Sequence, residues 1–172
     1  DGTEPEISNT DDQVITKKEL LKVDSVAIGP VSKFLNTFAL VTSQNIYQRH
    51  REFTDKKRVF ILTRSSWAGQ QRNGTVTWSG DVSSNFDNLR KQIRAGLNFC
   101  ITGIPYWTHD IGGFFPSGRG GLYPRGIEDP AYQELYVRWF QFGAFTPIFR
   151  SHGTGAPREI WQFKDRNPEF YK

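Results

Sequence analysis

From Val31 onward, side chains that favour burial recur at three- and four-residue steps: Val31, Phe34, Leu35, Phe38, Thr42 and Ile46 fall on one helical face. Gly29-Pro30 precedes the pattern and Ser32 or that loop is available to cap it, so a helix is predicted to run to about Phe53. The pattern then changes. Arg58-Val-Phe-Ile-Leu-Thr-Arg64 is a short continuous run rich in β-branched and aromatic residues, which predicts a strand buried on both faces, as in a parallel sheet. A second short strand is expected at Thr75–Trp78, with Asp81 just past its C-terminal end. Ser83 or Ser84 is then placed to cap a helix with Phe86, Leu89, Ile93 and Leu97 along one face.

A third strand is expected within Phe99–Trp107, followed by Thr108-His-Asp-Ile-Gly-Gly-Phe-Phe115 and a Gly-, Pro- and Arg-rich loop to Ile127. Asp129-Pro130 joins a cap residue to a proline at the first helical position. The helix it starts carries Tyr132, Leu135, Tyr136, Trp139 and Phe140 towards Gly143. Thr146-Pro-Ile-Phe-Arg150 reads as a fourth strand, with Ser151-His-Gly-Thr-Gly155 at its end. Helices alternating with strands, and polar and aromatic clusters at the strand ends, predict an α/β fold: a partial (β/α)8 TIM barrel, whose site is built at the C-terminal face of the strands. Four strands do not close an eight-stranded barrel, so the chain reads as its second half. An isolated half would expose strand edges that closure normally covers.

Composition narrows the function classes. A chain of 172 residues is enough for one core and one domain. It holds no methionine, opens on a polar, acidic, loop-like run from Asp1 to Asp12 and stops at Glu169-Phe-Tyr-Lys172 without a terminating signal, so a piece of a larger protein is expected. Aromatic residues make up 15% of the chain, many beside Gly, Arg, Asp or His. That mixture fits a sugar cleft, where flat rings stack on pyranose faces; a packed aromatic core accounts for much of it as well. The net charge is only +4, and the basic run from Arg49 to Arg58 is broken by Glu52 and Asp55. It reads as a solvated helix end, not as a nucleic-acid stripe. Cys100 is the single cysteine, expected to be buried between Phe99 and Ile101. No run approaches the ~18 apolar residues of a membrane span, and no signal peptide is visible, which leaves secretion open. Asn73-Gly-Thr75 matches a glycosylation sequon at chance level.

Arg64, Asp81, His109 with Asp110, and Arg150 with His152 end the four predicted strands in turn. Each alone reads as a salt bridge or loop hydrogen bond, and Asp81 as a turn or cap residue. In a barrel these ends converge on one cleft, which favours a site. His50, His109 and His152 lack ligand spacing, so no metal is expected, and Ser65, Ser66 and Ser151 lack a Gly-x-Ser-x-Gly elbow. Paired carboxylates remain.

Asp1-Gly-Thr-Glu-Pro5, Leu62-Thr-Arg-Ser65 with Ala68-Gly-Gln-Gln-Arg72, Trp78-Ser-Gly-Asp81, His109-Asp-Ile-Gly-Gly-Phe114, Arg138–Phe145 and Phe149-Arg-Ser-His-Gly153 resemble, in order and over nearly the whole chain, glycoside hydrolase family 31. The resemblance implies a retaining α-glycosidase on a (β/α)8 barrel, with this chain running roughly from the loop after strand 4 to strand 8. Residues 1–172 would then be part of a single catalytic domain, lacking the upstream half barrel and an N-terminal β-sandwich. It assigns Asp1 as nucleophile with Glu4 supporting it, Asp81 as acid/base, Arg64 and His152 as holders of sugar hydroxyls, and Trp78, Asp110 and Phe114 as lining of the same pocket.

In the implied mechanism Asp81 protonates the glycosidic oxygen while Asp1 attacks the anomeric carbon; Asp81 then deprotonates the water that releases the sugar. Retention implies carboxyl groups about 5–5.5 Å apart, and burial beside Trp78 is expected to favour the protonated form of Asp81. With Asp1 as a true chain terminus, its α-ammonium would weaken the nucleophile, and the isolated chain is expected to have little or no activity. The Asp-x-Thr-Glu-Pro-Glu6 form and the long loop from Phe115 to Asp129 resemble α-xylosidase members that trim xyloglucan side chains, ahead of α-glucosidases of the same family. The resemblance implies an oligosaccharide as partner, without cofactor, metal, nucleic acid or membrane; it leaves homo-oligomerisation of the parent open and favours a periplasmic or extracellular place if the substrate is xyloglucan. A non-catalytic sugar-binding remnant and a lyase acting on the same glycosyl intermediate are the competing readings.

Overall fold

The computed structural model describes residue 22 and residues 29–171. These form two compact units that divide after Val76.

In the first unit, the predicted helical segment is continuous through a turn at Val31–Phe34, a 3-10 turn at Leu35–Thr37 and helix α1, Phe38–Phe53. Its deepest points are Val31, Ala39 and Ser43, whereas Phe38 and Ile46 lie exposed. The small side chains let the 3-10 turn Gln70–Asn73 approach the helix, and buried Asn73 donates from Nδ2 to Ser43 Oγ at 3.1 Å. The sequon asparagine is therefore part of the interior. Strand β1 is only Ile61–Thr63, shorter than the apolar run predicts, and Phe60 remains 61% exposed. Bonding of β1 begins where Ile61 N–H donates to Gly74 O, just before β2, Thr75–Trp78; among the described residues, those ahead of Ile61 join no ladder.

β2 carries the chain into the second unit, and Thr75, Val76 and Thr77 are all buried, as a parallel strand covered on both faces should be. It pairs in parallel with β3, Trp107–Thr108, in the register Thr77 to Trp107 and Trp78 to Thr108. The third strand thus falls at the far end of the predicted stretch, because helix α2, Phe86–Ile101, absorbs Phe99 to Ile101. Its cap is Asn85, whose Oδ1 accepts from Asn88 N–H at 2.7 Å, and not Ser83 or Ser84. Ser84 is instead fully buried under the β3 loop. The buried face of α2 is also turned by about one residue from the predicted one: Leu89 and Gln92 face inwards, while Phe86, Ile93 and Leu97 are exposed. Gly96 lets α2 lie against the Trp107 ring, which a Cβ there would meet at 2.9 Å. Cys100, expected to be buried, is exposed one turn beyond Gly96.

Beyond β3, the predicted loop contains a hairpin, β4 Ser117–Gly118 with β5 Gly121–Leu122. Helix α3, Pro130–Gly143, starts as predicted: Asp129 Oδ1 accepts from Ala131 N–H at 3.0 Å ahead of Pro130. Tyr132, Leu135, Tyr136 and Trp139 are all fully buried and build the core of this unit with Ile111, Ile127, Tyr123 and Phe163. The fourth predicted strand, Thr146–Arg150, forms no ladder. Pro147 has no N–H to give, and the segment is tied to its neighbour through Thr108 Oγ1 to Ile148 O at 2.7 Å and Ile111 N–H to Arg150 O at 3.4 Å.

Candidate active site

Three stretches of the second unit run side by side past the ends of β2 and β3. Ser79 N–H donates to Thr108 O, Phe114 N–H to Val82 O, and Thr154 N–H to Phe114 O, which aligns residues 79–82, 108–114 and 150–154. The turn between the strand end and Phe114 is made by Gly112 and Gly113, at φ 88° and 79°. A side chain is excluded at both, because a Cβ would meet Tyr136 and Tyr132 at the first and Ser84 at the second.

Strand alternation sends the neighbours His109 and Asp110 to opposite surroundings. Asp110 is fully buried, and its Oδ1 accepts from Arg150 Nη1 at 2.5 Å. Burial pushes the Asp110 carboxyl above its ordinary range and outweighs the opposing pull of Arg150 and His152; Asp81 adds a smaller push in the same direction as burial. The Arg150 guanidinium also sits over the Trp78 ring, 5.7 Å from its centroid. His152 is exposed, with its ring 5.6 Å from that of half-buried Phe114. The structure therefore brings Trp78, Asp110 and Arg150 into contact, pairs Phe114 with His152, and sets Asp81 and His152 within electrostatic reach of Asp110. Asp81 itself is exposed, contrary to the expected burial beside Trp78.

His109, grouped with Asp110 by sequence, belongs to the core. Trp139 Nε1–H donates to its Nδ1 at 2.9 Å, its ring stacks on Phe142 at 4.8 Å, and Trp107 lies 5.5 Å away. Burial pushes the imidazole down to about 4, with the Arg150 charge acting in the same direction. Because Nδ1 accepts, the neutral ring carries its proton on Nε2.

Arg64 follows β1 in the first unit and is half-buried. The motif after it is braced by buried Gln70, whose Oε1 accepts from Trp67 N–H at 2.9 Å and whose Nε2 donates to Ser65 O at 3.1 Å. Asp1 and Glu4 lie outside the described residues, and so does the expected separation of the two carboxyl groups. Sequence reading also passed over Arg158. It is 4% exposed and lies in the polar run Gly155-Ala-Pro-Arg-Glu159, where an arginine ordinarily signals solvent.

Parallel strands joined through a helix, with charged side chains gathered past their C-terminal ends, place the chain in the α/β class and are the unit that a (β/α)8 barrel repeats. The model of the Glycosyl hydrolases family 31 TIM-barrel domain matches residues 1–172, and the chain belongs to glycosyl hydrolase family 31. It is 50% identical over 136 residues to an α-xylosidase of Saccharolobus solfataricus, covering 79% of this chain and 17% of that protein. It is 34% identical over 175 residues to a probable glucan 1,3-α-glucosidase of Arabidopsis thaliana, covering 100% and 17%. Among solved structures, the family 31 α-xylosidase from Xanthomonas citri superposes with a TM-score of 0.77 at 41% identity, over 90% of this chain and 17% of that one. The chain thus spans about a sixth of the length of these relatives.

Proposed function

We propose that the protein carrying this chain is a retaining, exo-acting α-xylosidase that removes non-reducing terminal xylosyl residues from oligosaccharides. Residues 1–172 would supply part of one catalytic domain, from the loop after barrel strand 4 to strand 8. The observation that carries this reading is the gathering of Trp78, Asp81, Asp110, Arg150 and His152 past the strand ends, in a chain half identical to an α-xylosidase over most of its length.

In this reading Asp81, open to solvent at the end of its strand, is reachable by a glycosidic oxygen and acts as the acid and then the base. Asp1 is the nucleophile, with Glu4 supporting it. Trp78 offers a ring face to the sugar, and the Arg150 cation behind it fixes the ring in place. Asp110 is held by Arg150 through one oxygen, which leaves the other to accept from a sugar hydroxyl. Arg64 and His152 hold further hydroxyls, and Phe114 closes the pocket beside His152. Hydrogen bonds of this kind raise the rate when they tighten as the ring flattens towards an oxocarbenium-like state.

An α-glucosidase is the second reading, favoured by the likeness to the plant glucan 1,3-α-glucosidase. The test is the ratio of kcat/KM for aryl α-xyloside and aryl α-glucoside, measured on the protein that contains this chain. A preference of about tenfold or more for xylose, equivalent to about 1.4 kcal/mol, supports the first reading, and the reverse preference replaces it with the second. Asp81→Asn should abolish turnover of natural oligosaccharides. Full activity in that variant removes Asp81 from the mechanism.

A further inference from the structure

We propose that Arg158 is a positioning residue that sets His152 and Phe114 for the sugar, an inference that rests on the reading of these two as pocket residues. Its guanidinium is buried and donates to four backbone carbonyls. Nη1 reaches Gly113 O and His152 O, the latter at 3.1 Å; Nη2 reaches Thr154 O at 2.8 Å; Nε reaches Ala156 O at 3.4 Å. One planar cation thus ties the glycine turn before Phe114 to the segment that carries His152.

The surroundings are shaped for this arginine. Gly153, between His152 and Thr154, has no Cβ to occupy the volume of the guanidinium, and any other residue there would overlap it. The Arg158 carbonyl is held in turn by Tyr136 Oη–H at 2.5 Å and Ser151 Oγ–H at 3.0 Å, so the backbone of Arg158 is anchored to α3 while its head reaches the cleft loops. His152 is exposed, and its ring makes no hydrogen bond among the described residues; the direction of its side chain follows from the backbone that Arg158 fixes. Lysine carries the same charge on a point donor and cannot span the same four carbonyls.

The test uses Arg158→Lys and, should that variant melt below the assay temperature, Arg158→Gln, in the protein that contains this chain. A positioning role predicts that kcat on an aryl α-xyloside falls about 10–100-fold while KM changes by less than about threefold, since misplacement of about 1 Å carries a penalty of that order. It also predicts that Arg158→Lys costs less in a His152→Ala background than in the wild type, because part of its effect passes through His152. Losses that multiply in the double variant overturn the proposal. A second measurement does not depend on turnover: the His152 ring Cε1–H resonance should move or broaden in the folded Arg158→Lys protein. An unchanged resonance overturns the proposal even if the enzyme is active. A wild-type protein inactive on both glycosides overturns the functional reading, while the resonance still decides whether Arg158 positions His152.

Discussion

Replacing His109 with glutamine should make the stability of the protein less dependent on pH between neutrality and pH 5. His109 is fully buried, accepts from Trp139 and packs on Phe142, and burial lowers its pKa from 6.5 to about 4. That difference disfavours the imidazolium in the folded state by about 3 kcal/mol. The unfolded chain takes up the proton near pH 6.5 and the folded one only near 4, so between these values the unfolded state binds more protons and stability falls as the pH is lowered. At pH 7 the effect is nearly absent; at pH 5 the wild-type protein should have lost about 2 kcal/mol through this residue. The glutamine of His109→Gln does not titrate, so its own cost is the same at both pH values and cancels when the two proteins are compared. The assay is urea unfolding at pH 7 and pH 5, followed by tryptophan fluorescence. Parallel pH dependences in the two proteins, or an NMR titration of His109 with a midpoint near 6.5, would refute the reasoning.

Asp110→Ala leaves the partly exposed Arg150 without its carboxylate, and urea unfolding should show a loss of about 1–3 kcal/mol, the range for removing one partner of a desolvated hydrogen bond. Gly96→Ala should give no gain and up to about 2 kcal/mol of destabilisation in urea unfolding: crowding of the Trp107 ring costs about 1–3 kcal/mol and the gain in helix propensity returns about 1. A net gain in stability there would show that α2 does not rest on Trp107.

The helical segments were legible because their signals are local. The stripe from Val31 and the Asp129-Pro130 start each depend on residues within a few turns, and both helices form where they are predicted. The depth of burial was less legible, because it depends on the facing element. Gly96 lets α2 lie against the Trp107 ring, with Gln92 buried and Ile93 left partly open beside it, and nothing in the α2 periodicity announces that ring. The strands were placed approximately and overextended, since apolar runs report burial but not where a partner ladder starts. Of the candidate site, Asp110, Arg150 and His152 were legible as charged residues past predicted strand ends, whereas Trp78 and Phe114 entered only through the resemblance to the family. Asp81 was also found, but its exposure was not. His109 and Asp110 are indistinguishable in composition and separated only by the alternation that sends one to Trp139 and the other to Arg150. Arg158 was hidden, because a buried arginine whose guanidinium is met by backbone carbonyls resembles, in sequence, any surface arginine in a loop.

The ligands of that arginine carry a practical consequence. Its charge is met by peptide oxygens, which neither take up protons in mild acid nor give way to dissolved ions as exposed carboxylates do. The surface pairs of Asp87 with Arg90 and Lys91 will weaken in brine, while the join between the two loops that carry Phe114 and His152 should hold its shape there. A join of this kind can meet changes in salinity and acidity with the two loops still in register.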